Sequence, residues 1–192
     1  TVGVIALAGL IVGWFMTHYW NREVILFRRG FSYREGSFVA FMRYEDVISI
    51  RQQAEQFSYF GGLLRRTVYR VTLKTDEDEV IVLNNLYRKM KDLSIRLEIA
   101  VTQSLRPRVV AKLDAGERVL FTDSLLMSNA GLHHDGRDLL WQDYKDVSVK
   151  GGELRIVAGN TDAWYTIPLE EVDNLRLLVE LLREHQTNEV SA

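Results

Sequence analysis

Between Arg22 and Leu83, short runs rich in Val, Ile, Phe and Tyr are broken by turn residues. This pattern predicts strands over Glu23–Phe27, Phe31–Arg34, Phe38–Tyr44, Val47–Arg51, Thr67–Lys74 and Glu79–Leu83. The period then changes. Leu86, Met90, Leu93, Leu97 and Val101 recur at three- and four-residue steps after Asn84 and Asn85, either of which can cap a helix lying on the sheet. The same order returns downstream. Strands are expected around Arg118–Phe121, Leu125–Ser128, Gly131–His134, Asp138–Trp141, Asp146–Lys150, Glu153–Val157 and Ala163–Pro168. A closing helix follows from Glu171 to His185, with Val172, Leu175, Leu178, Val179 and Leu182 on one face. Lys150-Gly151-Gly152-Glu153 reads as a hairpin turn. Alternation at Leu154 and Ile156 favours antiparallel, half-buried strands over a parallel sheet.

The recurrence has a local counterpart in Gly30–Ile50 and Gly131–Val149. Gly30, Phe31, Tyr33, Tyr44, Asp46 and Val47 align with Gly131, Leu132, His134, Tyr144, Asp146 and Val147, with one residue of slack. Two copies indicate a duplicated module, since a solenoid needs at least three. Leu105-Arg106-Pro107-Arg108 reads as the linker, because proline biases the preceding residue away from helix. The modules therefore span residues 21–105 and 109–187.

The first twenty residues, Thr1–Trp20, contain no Lys, Arg, Asp or Glu. A helix of that length covers about 30 Å, the thickness of a bilayer core. Trp14, Phe15, Tyr19 and Trp20 crowd its end like an interfacial belt, and Arg22, Arg28, Arg29 and Arg34 follow. The expectation is a transmembrane helix over residues 1–20, one of one or several spans, that holds the globular part on the cytoplasmic face of a cell membrane.

Charge separates the halves. Residues 21–108 carry 16 Lys and Arg against 11 Asp and Glu, and residues 109–192 carry 8 against 15, so the first half is +5 and the second −7. The asymmetry points to opposite surroundings for the two halves. It does not fit nucleic acid, which needs a basic stripe with stacking aromatics. There is no cysteine, which removes disulfides and thiolate metal sites.

The strand order with one closing helix, and the strand entrances Met42-Arg43-Tyr44-Glu45-Asp46-Val47 and Gln142-Asp143-Tyr144-Lys145-Asp146-Val147, resemble bacterial pleckstrin-homology-like domains of the membrane-protein type. The tandem arrangement, with Leu140-Trp141 and Trp164-Tyr165-Thr166-Ile167-Pro168, resembles an uncharacterised bacterial family of such proteins. The resemblance implies a mainly β fold with α (α+β). It consists of two tandem pleckstrin-homology-like modules, each a strongly bent antiparallel sheet or partly open barrel closed by a C-terminal amphipathic helix. It brings no catalytic residues and no cofactor, and such folds host lipid binders, peptide binders and scaffolds alike.

The stretch from Phe57 to Arg66 is the candidate contact. Phe57, Tyr59 and Phe60 with a Gly61-Gly62 pair and Arg65 and Arg66 form a hairpin-like tip, and Arg70 and Lys74 extend its basic side. Aromatic residues enter the headgroup boundary while each nearby cation adds about 1 kcal/mol on anionic lipid. No nucleophile elbow, phosphate loop or zinc-protease motif is present, and His133 and His134 alternate to opposite faces of a strand, so neither enzyme nor metal chemistry is expected. Asp46 and Asp146 read as turn-fixing carboxylates. The expected function is that of a non-enzymatic, membrane-anchored binding or scaffold protein. Its basic module would rest on anionic lipid and its acidic module would be open to a protein partner. The alternative is a purely structural or oligomerisation subunit of a membrane complex.

Overall fold

The two glycines that open the repeat sit in equivalent frames. A Cβ on Gly30 would lie 2.2 Å from the Met42 carbonyl oxygen, and one on Gly131 2.1 Å from that of Leu139, so neither position admits a side chain. The computed structural model describes residues 21–59, 64–159 and 163–190 and, of the first twenty, 3, 7, 9–14 and 16; within 56–59, 64–66 and 187–190 it describes the backbone alone.

In the first half, β1 (Arg22–Leu26), β2 (Gly30–Glu35) and β3 (Phe38–Arg43) form one antiparallel sheet in chain order. A second antiparallel sheet holds β4 (Val47–Tyr59), β5 (Leu64–Thr75) and β6 (Val80–Asn84), and α1 (Met90–Asp114) follows. In the second half, β7 (Val119–Leu120), β8 (Leu125–Met127), β9 (Gly131–His134) and β10 (Arg137–Leu140) are ordered β10-β9-β8-β7. Then come β11 (Tyr144–Lys150), β12 (Glu153–Ala158) and β13 (Tyr165–Pro168) in chain order, and α2 (Leu175–Val190). Both halves thus run sheet, sheet, helix.

Backbone bonds fix how the repeat aligns. Phe27 N–H donates to Gly30 O as Ser128 N–H does to Gly131 O, and Tyr44 N–H donates to Arg29 O as Trp141 N–H does to Ala130 O. Asp46 O accepts from Asp76 N–H as Asp143 O accepts from Gly159 N–H. The 3-10 turn Tyr44–Asp46 therefore corresponds to Trp141–Asp143 and not to Tyr144–Asp146. The offset falls from 101 at the glycines to 97 at these aspartates, because the β9–β10 hairpin is shorter than β2–β3.

Three expectations are corrected. Among the described residues no helix is long and apolar enough to cross a membrane. A span needs about 20 apolar residues in succession. The described helical positions of the first segment, 3, 7, 9–14 and 16, do not supply them, and its other residues lie outside the described ones; α1, at 25 residues, is broken by charge from Lys91 onward. The partly open barrels are likewise replaced: among the described residues the sheets are four small antiparallel ones, none of them closed. Strands β3 and β4 are separated by the 3-10 turn and belong to different sheets, so the ladder does not continue from one to the next.

The third correction concerns the linker. Leu105–Arg108 lies inside α1, with Pro107 in the helix interior. The apolar stripe explains why the helix goes on. Met90, Leu97, Val101 and Leu105 are followed at four-residue steps by Val109 and Leu113, all buried. An interior proline disfavours a helix by about 3 kcal/mol. Burying Val109 and Leu113 returns on the order of 1.5–3 kcal/mol each, so continuation is favoured.

The halves share one core. Phe31, Val47, Leu73 and Leu97 belong to the same hydrophobic cluster as Phe121, Leu132, Leu154 and Leu178. Polar contacts close the seam. Arg51 Nε donates to Asp173 at 2.9 Å, and Arg106 on α1 reaches Glu184 on α2 at 2.8 Å.

Candidate functional site

The residues expected at the tip are not gathered into one patch. Phe57 and Tyr59 lie in β4 opposite Arg66 and Leu64 of β5, and Arg65 opposes Ser58. Their side chains, and the whole of Phe60, lie outside the described residues. Arg70 opposes Gln53 and Asn84 and faces the seam between the halves, where it lines a cleft. Lys74 opposes Ser49 and Val80 at the far end of β5. Nine residues of extended strand place it about 30 Å from Arg65, too far to share a headgroup. Beyond the Gln53–Arg70 pair the hairpin has no third strand among the described residues, and Asn85 ties its flank by accepting from Tyr69 N–H at 2.8 Å and donating to Thr67 O at 2.9 Å.

A different surface of the first half collects exposed apolar side chains. In β1, Val24 and Leu26 pack on the core, which turns Ile25 outward, with Phe27 next to it. Register then sets the neighbours: Ile25 opposes Ser32, Ser32 opposes Phe41, and Arg34 opposes Val39. The outer face therefore carries Ile25, Phe27, Val39 and Phe41, 44%, 49%, 55% and 57% exposed. Phe27 and Phe41 touch across it, with ring centroids 6.0 Å apart, and the Phe41 ring lies over the bare backbone of Gly30. The ring thus adds to the Met42 carbonyl in crowding the position of a Gly30 side chain.

Arginines border this strip. Arg28 and Arg29 lie in the β1–β2 turn, Arg43 ends β3, and Arg34 lies in β2; all four are exposed. Arg28, Arg29 and Arg43 line a cleft of about 550 Å³ whose far wall is the Ala100–Ser104 stretch of α1. One carboxylate, Glu45, enters it and pairs with Arg43 at 3.0 Å. Among the described residues Arg28 and Arg29 are in no ion pair. Tyr44, at the base, is buried, and burial raises its phenol above the ordinary value, so it stays neutral at physiological pH. The site offers guanidinium donors that hold an anion and do not release a proton.

A family model matches residues 1–191. The chain belongs to DUF6585, a family of unknown function. No curated protein matches it. The DUF6585 description names no fold, ligand or activity, so the arginine-bordered face has to be read from its own chemistry.

The histidines are occupied elsewhere. His133 pairs with Asp138 across the β9–β10 hairpin, while His134 packs against Tyr165 with centroids 4.1 Å apart. Among the described residues no three His, Cys, Asp or Glu side chains are placed to hold a metal. The residues missed in the sequence, Phe27, Phe41, Arg28, Arg29 and Arg43, carry one usable signal. Val24–Phe27 and Phe38–Met42 are apolar at both strand parities, as expected of strands with an apolar outer face as well as a core face.

Proposed function

We propose that the protein is a non-enzymatic binding protein whose first half rests on an anionic lipid surface through the outer face of β1–β3. The observation that carries this reading is the exposed Ile25, Phe27, Val39 and Phe41 strip bordered by Arg28, Arg29, Arg34 and Arg43. Apolar side chains on a protein surface lose about 25 cal/mol for each Å² moved out of water, and cations beside them add about 1 kcal/mol each at an anionic surface. The net +5 of residues 21–108 gives the same sign of long-range attraction. The second half, at −7, is repelled by such a surface and stays open to a basic protein partner.

The test is co-sedimentation of the 192-residue chain with vesicles of neutral and of anionic lipid, read as the difference between the two so that any binding indifferent to charge cancels. Arg28→Ala with Arg29→Ala is expected to lower the anionic-dependent affinity about thirty-fold, by about 1 kcal/mol for each cation. Phe41→Ser lowers it with less change in salt dependence. Equal binding to both vesicles, insensitive to salt, overturns the reading. Self-association lost with Phe41→Ser would instead favour the structural role, since β3 is an edge strand with its apolar outer face exposed.

A further inference from the structure

A second cleft, remote in kind from the lipid-facing strip, is formed jointly by the two halves. It holds about 550 Å³, within the range of small-molecule sites. The first half contributes Tyr69 and Arg70 from β5 and Lys91 and Ile95 from α1; the second contributes Leu169 after β13 and Leu175 at the start of α2. Neither half contains the site alone.

Its polar groups divide into two sets. Gln52 and Ser94 are already engaged with backbone: Gln52 donates to Ser94 O at 3.3 Å, and the Ser94 hydroxyl donates to Lys91 O at 2.8 Å. Those at the rim are Arg70, Lys91 and Glu170. Among the described residues none of the three is in an ion pair, and two cations against one carboxylate leave the rim at +1. The walls are apolar, and Ile95 stands 45% exposed in the cleft although its helix buries its apolar stripe elsewhere. Apolar walls with an uncompensated cationic rim match a molecule with a hydrocarbon body and a single negative head.

We propose that this cleft binds an amphipathic carboxylate, with its body against Ile95, Leu169 and Leu175 and its carboxylate held by Arg70 and Lys91. The ligand touches both halves, so occupancy stabilises the assembled fold by mass action. The proposal is independent of the lipid-surface reading, since it uses other residues and a soluble ligand.

The probe is octanoate, added to the full chain and followed by thermal midpoint and by backbone amide shifts, with octanol and octylammonium as matched controls. Octanoate is expected to raise the midpoint and to shift amides of β5, the first turns of α1 and the start of α2. Octanol should bind at least tenfold more weakly, because hydrogen bonds to charged groups contribute about 1.5–3 kcal/mol, and octylammonium weaker still. Arg70→Gln with Lys91→Gln, both exposed, should leave the unliganded midpoint in place and cut octanoate affinity at least tenfold while sparing octanol. Ile95→Asp should abolish binding of both. Octanoate binding that survives the Arg70 and Lys91 changes, shifts confined to β1–β3, or no midpoint change with octanoate would each overturn the proposal.

Discussion

Ile50 and Asn174 are joined by reciprocal hydrogen bonds across the seam: Asn174 N–H donates to Ile50 O at 2.8 Å, and Ile50 N–H donates to Asn174 Oδ1 at 3.0 Å. Asn174 Nδ2 also donates to Ile48 O at 3.1 Å, so one asparagine in the second half pairs with β4 as a short strand would. Such a partner has a place here because β4 is the outer strand of the β4-β5-β6 sheet and turns one edge away from β5. Asn174 adopts φ +53°, a conformation asparagine tolerates better than most residues, and its carbonyl accepts the Leu178 N–H of α2.

Asn174→Ala should therefore destabilise the protein by about 2–4 kcal/mol, from two lost side-chain bonds, the buried Ile50 N–H left without its acceptor, and left-handed strain. Asn174→Gly removes the strain and keeps the lost bonds, so it should fall between wild type and alanine. Denaturant unfolding at constant slope measures both.

Arg51 and Asp173, next to that pair, make a half-buried ion pair at 2.9 Å. The hydrogen bond to Asp173 is the main reason the Arg51 guanidinium is held above its ordinary value, against the cost of its burial. A double-mutant cycle, Arg51→Met and Asp173→Asn, should give a coupling of about 1 kcal/mol, above most surface pairs because both groups are partly withdrawn from water. A coupling indistinguishable from zero would mean that this pair adds nothing to the hold between the two halves.

Gly30→Ala and Gly131→Ala place a Cβ about 2 Å from a carbonyl oxygen of the adjacent strand, Met42 and Leu139 respectively. Backbone cannot yield as a flexible side chain does, so each substitution should cost about 3 kcal/mol or more and lower the thermal midpoint by several degrees. Gly30→Ala should also displace the Phe41 ring, which lies over it, and so weaken vesicle binding beyond the loss of fold. Near-ultraviolet circular dichroism of the folded variant reports that ring.

How much of this was legible in the sequence depends on which forces are local. Strand positions and the duplicated order could be read because alternation is a property of consecutive residues, as at Leu154 and Ile156, both fully buried. The repeat alignment was off by three residues in its second half: Tyr144-Lys145-Asp146-Val147 mimics Tyr44-Glu45-Asp46-Val47 in letters, yet the equivalent 3-10 turn is Trp141-Gln142-Asp143. Only backbone bonds distinguish the two. β4 was expected to stop at Arg51 because Gln52, Gln53, Glu55 and Gln56 break the apolar pattern, but β5 satisfies their backbone groups as far as Tyr59. The proline at 107 outweighed Val109 and Leu113 in the reading of α1, although those residues continue its stripe. The exposure of Phe27 and Phe41 was legible only as apolar residues at both parities of β1 and β3, since which face stays uncovered depends on the absence of a layer over the outer face of β1–β3 among the described residues.

Glu98 on α1 gives the chain a pH dependence of definite sign. Burial raises its carboxyl above the ordinary value, partly countered by Arg176 and by the hydrogen bond from Gln52, while Glu180 adds to the rise. A raised carboxyl binds its proton more tightly in the folded state than in the unfolded one, so between the unfolded and folded values the native protein holds more protons. Stability must then fall as pH rises through that window, and the whole penalty is present above the folded value. Glu98→Gln removes the ionisation and keeps an acceptor for Gln52, so it should raise the thermal midpoint at pH 7 to 8. At a pH below the ordinary carboxyl range, where Glu98 is protonated in both states, the gain should vanish. Melting curves of both proteins from pH 3 to 8 measure this: a gain from Glu98→Gln that is the same across the whole range would show that the carboxyl is solvated in the folded protein, and that the region next to Gln52 and Ser94 is wetter than the packing of α1 on β4 implies.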